Sequence, residues 1–299
     1  MVVAAIDLGT NTFHMLIAES DGYSFKVLHK ERKWVFLAEY GLSTLHPSVL
    51  ERAWGAMNEF KQSLGTYQVQ QYQCVATEAF RAASNGMDFL NRVKRELNIE
   101  AKVISGNKEA ELIFKGVRLA LGNYKAPSLI MDIGGGSTEF ILHTGDTIHW
   151  IDSFKAGVTY LYNRFVNSNP LSLEHQQSLE TYLLELFQEM KKELQQWNPI
   201  SLVGASGSFD VLEMMAGMQP FDGQYNILSI SHFERFYQEL LPTTLEDRLL
   251  IDSIPESRAK LIVTAFILIR VVLDLFPFKN IIISPYALKE GLISELIGG

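Results

Sequence analysis

The chain has 299 residues, of which 47% are hydrophobic and 20% charged, with a net charge of −8 and a single cysteine. This composition is typical of a globular protein with a sizeable core, in one large or two medium domains. It excludes a disulfide scaffold and a cysteine zinc site, and the absence of basic blocks argues against nucleic-acid binding. A lone cysteine fits a reducing compartment, so we expect a cytoplasmic protein.

The predicted elements begin with a hairpin over residues 2–17, where two apolar runs flank an Asp-x-Gly motif. The tight turn between the runs predicts two strands, with Asp7 at the mouth of the turn. Alternating residues predict further strands over 23–28 and 34–37. The remaining predicted elements of the first half are a helix over 47–64, a strand over 72–76, a helix over 87–97, a strand over 101–104 and a helix over 108–121.

The segment 122–127 is small, polar and proline-bearing, which indicates a linker, and a second Asp-x-Gly hairpin follows over 129–142. The apolar stretch 261–276 contains Arg270 and Asp274 and is shorter than the ~20 residues of a membrane span. We therefore interpret it as a buried core helix and expect no membrane association. The other predicted elements are helices over 158–165, 173–197, 233–241, 256–275 and 287–297, and strands over 202–204 and 281–284.

The first glycine turn contains Asp7, Gly9, Thr10 and Asn11. Glycine permits close approach of the backbone to a ligand, and successive N–H groups in such a turn bind anions. Thr10 and Asn11 add donors for phosphate oxygens. The alternative is an ordinary hairpin turn, in which these residue types are also common.

The second glycine turn contains more candidate ligand residues than the first. It contains Asp132, Gly134, Gly135, Gly136, Ser137 and Glu139. Three consecutive glycines cost backbone entropy, which favours a ligand-binding turn over a plain connection. Asp132 and Glu139 lie on opposite arms of the hairpin and face one metal ion in this interpretation, although Glu139 is alternatively a surface charge. Carboxylates such as these and Asp7 suit a phosphate site if a divalent cation lies between them and the phosphate.

Two other residues are candidates for catalysis. Arg81 follows the strand 72–76 and is either a phosphate ligand or an exposed helix residue. Glu109 begins a helix, where a carboxylate is favoured by the helix dipole in any case. It is alternatively a general base for water, and Glu111 competes with it for this role.

Four motifs occur in a fixed order: Asp7–His14, Ala76–Arg81, Ile104–Ala110 and Asp132–Glu139. Together they resemble the exopolyphosphatase / guanosine pentaphosphate phosphohydrolase family, which belongs to the actin–Hsp70–sugar kinase superfold. The resemblance extends over essentially the whole chain. One departure is Lys108, which stands where many relatives have an acidic residue before the catalytic glutamate.

The resemblance implies an α/β fold with two ribonuclease-H-like (actin-like ATPase) domains and an interdomain cleft. We expect the first domain over 1–123 plus 287–299 and the second over 124–286. The implied reaction is hydrolysis of the terminal phosphate of polyphosphate or the 5′ phosphate of guanosine pentaphosphate, with Mg²⁺ or Mn²⁺. The oligomeric state is open, with a homodimer among the expected assemblies.

By motif match, Glu109 takes the position of the catalytic base and Arg81 that of a phosphate-contacting arginine. Asp132 and Glu139 match acidic metal or water ligands. The turns Gly9–Asn11 and Gly134–Ser137 match the phosphate loops of the family.

Two other functions remain open at this level. The first is an ATP-dependent kinase of the same superfold, for which the glycine turn over 203–209 is only a partial match to an adenosine pocket. The second is a sensor that binds guanosine phosphates or polyphosphate without turnover. Glu109, Asp132 and Glu139 argue against the sensor, because a protein that only binds does not need all three.

Overall fold

The computed structural model describes residues 1–219 and 224–298; residues 220–223 and 299, which the predicted domains include, lie outside the described part. The chain forms two compact units. The first unit contains Met1–Gly116, Gly134–Gly136 and the chain from Tyr286 onward, and the second contains Val117–Ile133 and Ser137–Pro285. Compactness alone does not test the predicted domain boundaries, which stay a prediction.

Eleven strands lie within the described residues. They are β1 (Val2–Leu8), β2 (Thr12–Ser20), β3 (Phe25–Trp34), β4 (Gln71–Ala76), β5 (Lys102–Val103), β6 (Ser128–Ile133), β7 (Thr138–Thr144), β8 (Thr147–Phe154), β9 (Ser201–Ala205), β10 (Asn226–Ser229) and β11 (Asn280–Ile283).

Thirteen α-helices lie in the same part of the chain. They are α1 (Pro47–Thr66), α2 (Glu78–Ala82), α3 (Gly86–Leu97), α4 (Gly106–Leu121), α5 (Val158–Phe165), α6 (Leu173–Leu186), α7 (Gln188–Leu194), α8 (Gly207–Met215), α9 (Ile230–Leu240), α10 (Leu245–Leu249), α11 (Glu256–Ala259), α12 (Ile262–Leu275) and α13 (Leu288–Ile297).

The two units each contain one mixed sheet, and both sheets follow the same plan. The strand order is β3-β2-β1-β4-β5 in the first and β8-β7-β6-β9-β11-β10 in the second. In each, an antiparallel hairpin pairs on one side with a third antiparallel strand and on the other with a parallel strand. The expected α/β class with two ribonuclease-H-like, actin-like units is confirmed.

The long apolar helix is a core element, as its composition predicts. Helix α12 buries nearly all of its side chains in the hydrophobic core of the second unit. Its Arg270 forms ion pairs with Glu234 and Asp274 at the less buried face. In the described part of the chain, no helix is both long and apolar enough to cross a bilayer.

The predicted strand over 34–37 is wrong, because β3 ends at Trp34. The next residues donate backbone hydrogen bonds to the first glycine turn, from Val35 N to Asn11 O (2.9 Å) and from Leu37 N to Thr10 O (2.8 Å). The chain turns between them at Phe36, with φ of 46°. This segment therefore supports the turn instead of extending the sheet.

Two predicted helices are broken in the structure. The helix expected over 173–197 stops at Leu186 and resumes at Gln188, with the fully buried Phe187 between the two pieces. The helix expected over 256–275 divides into α11 and α12. Helical periodicity persists across both breaks, so the sequence pattern does not reveal them.

Helix α13 packs closely on α4 at a pair of glycines. A Cβ on Gly116 would lie 1.9 Å from Ala287 O, and one on Gly291 would lie 1.9 Å from Leu112 O. Glu295 of α13 also accepts bonds from Lys108 (2.9 Å) and Lys115 (2.5 Å) of α4. These contacts fix α4, whose first turn carries Glu109.

Replacing Gly116 with alanine tests this contact. Gly116→Ala forces α13 away from α4 and should destabilise the protein by about 1–3 kcal/mol, the usual cost of overpacking. The matched control is Gly55→Ala in α1, where nothing lies within 4 Å of the new Cβ. There alanine should stabilise by about 0.4–1 kcal/mol. Urea unfolding of both variants measures the two effects, and equal effects would contradict the close crossing.

A second prediction concerns acid stability. Burial lowers the pKa of His143 to about 4, and its hydrogen bond to Gly145 O offsets this only in part. Because the unfolded chain binds this proton near the ordinary pKa of 6.5, stability falls as pH drops from 6.5 towards 4. The expected loss is about 3 kcal/mol.

The variant His143→Asn keeps a donor for Gly145 O and removes the titrating ring. Unfolding measured between pH 7 and 4 should show a smaller loss of stability for this variant than for the unmodified protein. Parallel stability curves for the two proteins would contradict the assignment to His143.

Candidate active site

The first glycine turn joins β1 to β2 and has the expected form. Gly9 N donates to Thr12 O at 3.1 Å, and a Cβ on Gly9 would lie 2.9 Å from that same oxygen. The side chains of Thr10 and Asn11 are buried. Asp7 is partly buried in β1, two residues before the glycine. The turn is thus tightly built, with polar side chains held in the interior.

The second glycine turn joins β6 to β7, and Gly134–Gly136 is grouped with the first unit. A Cβ on Gly135 would lie 2.8 Å from the side chain of Asn11, and one on Gly136 would lie 2.8 Å from Cγ of Glu78. The glycines therefore permit close contact with two polar side chains of the protein. Their role as phosphate donors stays a prediction, as does that of Ser137, which is buried.

Arg81 and Glu109 lie in direct contact. Arg81 Nη1 donates to Glu109 Oε2 at 3.0 Å and to Ile104 O at 2.7 Å. Its Nε and Nη2 both donate to Glu78 Oε2, at 3.1 and 2.9 Å. One guanidinium of α2 thus holds a carboxylate of its own helix and one at the start of α4.

The electrostatics of this cluster are those of a desolvated ion network. Burial lowers the pKa of Arg81, but the negative charges of Glu109 and Glu78 outweigh it and raise the pKa overall. Glu109 is only 7% exposed. The positive charge of the guanidinium offsets part of the desolvation cost of burying this carboxylate. The exposed-helix interpretation of Arg81 is therefore wrong, and Glu111, whose side chain is 50% exposed, is a surface residue.

Asp132 and Glu139 are brought together by the second hairpin. They are direct partners in the antiparallel register of β6 and β7, which places their side chains on the same face of the sheet. Glu139 is 1% exposed and Asp132 8% exposed. Ser153 Oγ on β8 donates to Glu139 Oε1 at 2.8 Å. The alternative of Glu139 as a surface charge is excluded by its burial.

Two buried carboxylates of the second hairpin are the residues that could hold a divalent cation. Across residues 1–219 and 224–298, no group of three or more acidic, histidine or cysteine side chains could hold a metal. Mg²⁺ typically takes one or two carboxylates and completes its shell with waters and substrate phosphates. Asp132 and Glu139 supply two buried carboxylates from one hairpin, and Asp7 is a third candidate, in the first unit.

The model of the Ppx/GppA phosphatase family matches residues 16–298. The chain belongs to this family. It is 34% identical to an exopolyphosphatase from Cytophaga hutchinsonii, with 99% of this chain and 98% of that one covered and a TM-score of 0.95. A Ppx/GppA family member from Aquifex aeolicus is 24% identical over 99% and 97% of the two chains, with a TM-score of 0.82, and supports the fold.

The resemblance stated from the four motifs is thus confirmed, and the protein is a Ppx/GppA family phosphatase. Its Lys108, where many relatives have an acidic residue, forms an ion pair with Glu295 at 2.9 Å. In this family member the lysine connects α4 to α13.

Sequence reasoning missed the part that Glu78 plays in this Ppx/GppA protein. Glu78 belongs to the motif Ala76–Arg81, but its spacing from Arg81 is that of a common surface pair on a helix. Its importance comes from the contacts of Arg81 with Ile104 and Glu109, which are distant in sequence. The motif alone contains no signal for this network.

The turn after β9 matches an adenosine pocket only in part by sequence. Ser206 has φ of 76° and ψ of 176°, a backbone conformation that residues other than glycine rarely adopt. Its Oγ donates to Ile133 O at 3.1 Å. A Cβ on Gly207 would lie 1.8 Å from Nη2 of Arg258, so this arginine rests against the turn.

Proposed function

We propose that this Ppx/GppA phosphatase is an exopolyphosphatase, which hydrolyses the terminal phosphate of inorganic polyphosphate with the help of Mg²⁺ or Mn²⁺. Its 34% identity to an exopolyphosphatase over nearly the full length of both chains supports polyphosphate as the substrate. The 5′ phosphate of guanosine pentaphosphate is the second substrate we propose, from the four motifs shared with guanosine pentaphosphate phosphohydrolases.

The observation that carries the proposal is the buried carboxylate of Glu109, held by Arg81 at 3.0 Å. A carboxylate fixed in this way can orient a water molecule and accept its proton. In the proposed mechanism the water attacks the terminal phosphorus in line with the departing phosphate, and Glu109 takes the proton. The shortened polyphosphate chain leaves with the bridging oxygen.

Arg81 has two proposed tasks. In the structure all three of its guanidinium nitrogens donate to protein oxygens. Arg81 therefore positions Glu109, and a direct bond to substrate requires it to exchange one of these partners. Phosphate oxygens are strong acceptors for an arginine fork, so such an exchange is chemically favourable.

The remaining candidates stabilise charge. The backbone N–H groups of Thr10, Asn11 and Gly134–Ser137 are proposed donors to phosphate oxygens. Gly9 N already donates to Thr12 O, so Gly9 would shape the turn and not bind phosphate through its N–H. Asp132 and Glu139 are the proposed metal ligands, and Asp7 is a separate candidate on the hairpin of the first unit. When bound, the metal ion would neutralise charge on the phosphate oxygens.

The direct test is phosphate release from short polyphosphate, long polyphosphate, guanosine pentaphosphate and ATP, each with and without Mg²⁺. We expect metal-dependent release from polyphosphate and guanosine pentaphosphate, and slow release from ATP. Release of phosphate from guanosine pentaphosphate alone would contradict the proposal that the protein is an exopolyphosphatase. Binding of polyphosphate without release would favour the sensor, and transfer of phosphate from ATP to an acceptor would favour the kinase.

The base assignment is tested by Glu109→Gln, which keeps the shape of the side chain and removes its basicity. We expect kcat for polyphosphate to fall by about 10²–10⁴-fold, the usual contribution of a general base. KM should change little, because Glu109 is assigned to the water and not to substrate binding.

Two control variants accompany this measurement. Glu111→Gln alters an exposed carboxylate two residues away and should leave kcat close to that of the unmodified protein. Glu78→Gln removes the other carboxylate that is paired with Arg81 and retains Glu109. It should therefore lower kcat less than Glu109→Gln does. An active Glu109→Gln enzyme would contradict the assignment.

A further inference from the structure

A separate cavity of about 90 Å³ lies in the second unit. It is several times larger than the roughly 10–15 Å³ that one water molecule needs. Its polar lining includes Tyr162, Arg248, Lys260 and Thr264. None of these residues belongs to the candidate active site, so the cavity requires its own explanation.

Arg248 is a buried cation without a counter-ion. It is 6% exposed. Its Nε donates to Ala259 O at 2.7 Å and its Nη1 to Thr243 O at 2.9 Å. Within residues 1–219 and 224–298, no acceptor bonds to Nη2 and no carboxylate lies at ion-pairing distance. Burial lowers the pKa of Arg248, and such a charge is costly to bury unless an anion approaches it.

Three other donors at the cavity also lack acceptors. Lys260 Nζ lies 4.9 Å from the centre of the Tyr162 ring, and it forms no ion pair with any described residue. Thr264 is 1% exposed, yet its hydroxyl bonds to no other side chain or backbone group of the described chain. The same holds for the hydroxyl of Tyr162. The cavity is therefore lined by several N–H and O–H groups that have no acceptor among the described residues, and of these side chains Lys260 is also exposed to solvent.

The nearest acidic groups are engaged elsewhere. Glu246 accepts a bond from Asn169 Nδ2 at 2.9 Å. Asp247 caps α10 through Thr244, whose backbone N and Oγ1 both donate to Asp247 Oδ2 at 2.8 Å. Both carboxylates moderate the positive potential near Arg248, but neither forms an ion pair with it.

We propose that this cavity binds a tetrahedral oxyanion of the phosphate kind, between Arg248, Lys260 and the hydroxyl of Thr264. A guanidinium, an ammonium and a hydroxyl are the donors that such oxygens require. The ligand is either free orthophosphate or the terminal phosphate group of a longer chain, since both present the same oxygens. The inference does not depend on the proposed catalytic function.

Calorimetric titration with orthophosphate tests the site in the full chain. Two variants remove donors that make no ion pair or side-chain hydrogen bond within the described residues: Lys260→Gln and Thr264→Val. Each should weaken one phosphate-binding component by about tenfold or more, because hydrogen bonds to charged groups contribute that much. The matched control is Lys279→Gln, an exposed lysine of the same unit, which should bind like the unmodified protein.

A parallel titration with tripolyphosphate distinguishes the two ligand sources. If the site takes a terminal phosphate group, both variants weaken tripolyphosphate binding as well. If it takes the free ion, only orthophosphate binding weakens. Unchanged binding of both ligands in both variants, with melting temperatures confirming folded protein, would overturn the proposal.

Discussion

The arrangement of the candidate active site depends on one guanidinium. Arg81 bonds to Glu78, to Ile104 O and to Glu109, and it thereby joins α2 to the first turn of α4. A carboxylate as buried as Glu109 is expensive without such a partner. Other elements of the unit hold the two partners in place. Helix α13 packs on α4 at Gly116 and Gly291, and the motif that contains Arg81 follows directly after β4.

The second unit has the same strand plan as the first but places different side chains on its hairpin. Its hairpin places Asp132 and Glu139 opposite one another in register, whereas the hairpin of the first unit carries Asp7. The two hairpins thus share an aspartate but differ at the residue opposite it, which is His14 in the first and Glu139 in the second.

Sequence alone predicts the parts of this structure that are set by local pattern. The two hairpins, α1 and the buried helix α12 follow from alternation, glycine turns and helical periodicity. Parts set by distant contacts are not predicted. The strand expected over 34–37 is replaced by bonds to Thr10 and Asn11, and the engagement of Glu78 depends on Glu109. No local sequence pattern indicates that Arg248 is buried with only backbone carbonyls of Ala259 and Thr243 as its closest partners.

The central claim is that water attacks the terminal phosphorus of the phosphate chain. It is tested most directly by hydrolysing tripolyphosphate in ¹⁸O-labelled water and locating the label by mass spectrometry. The account predicts one ¹⁸O atom in the released orthophosphate and none in the pyrophosphate that remains. Label in the pyrophosphate would show attack at an inner phosphorus and would contradict the account.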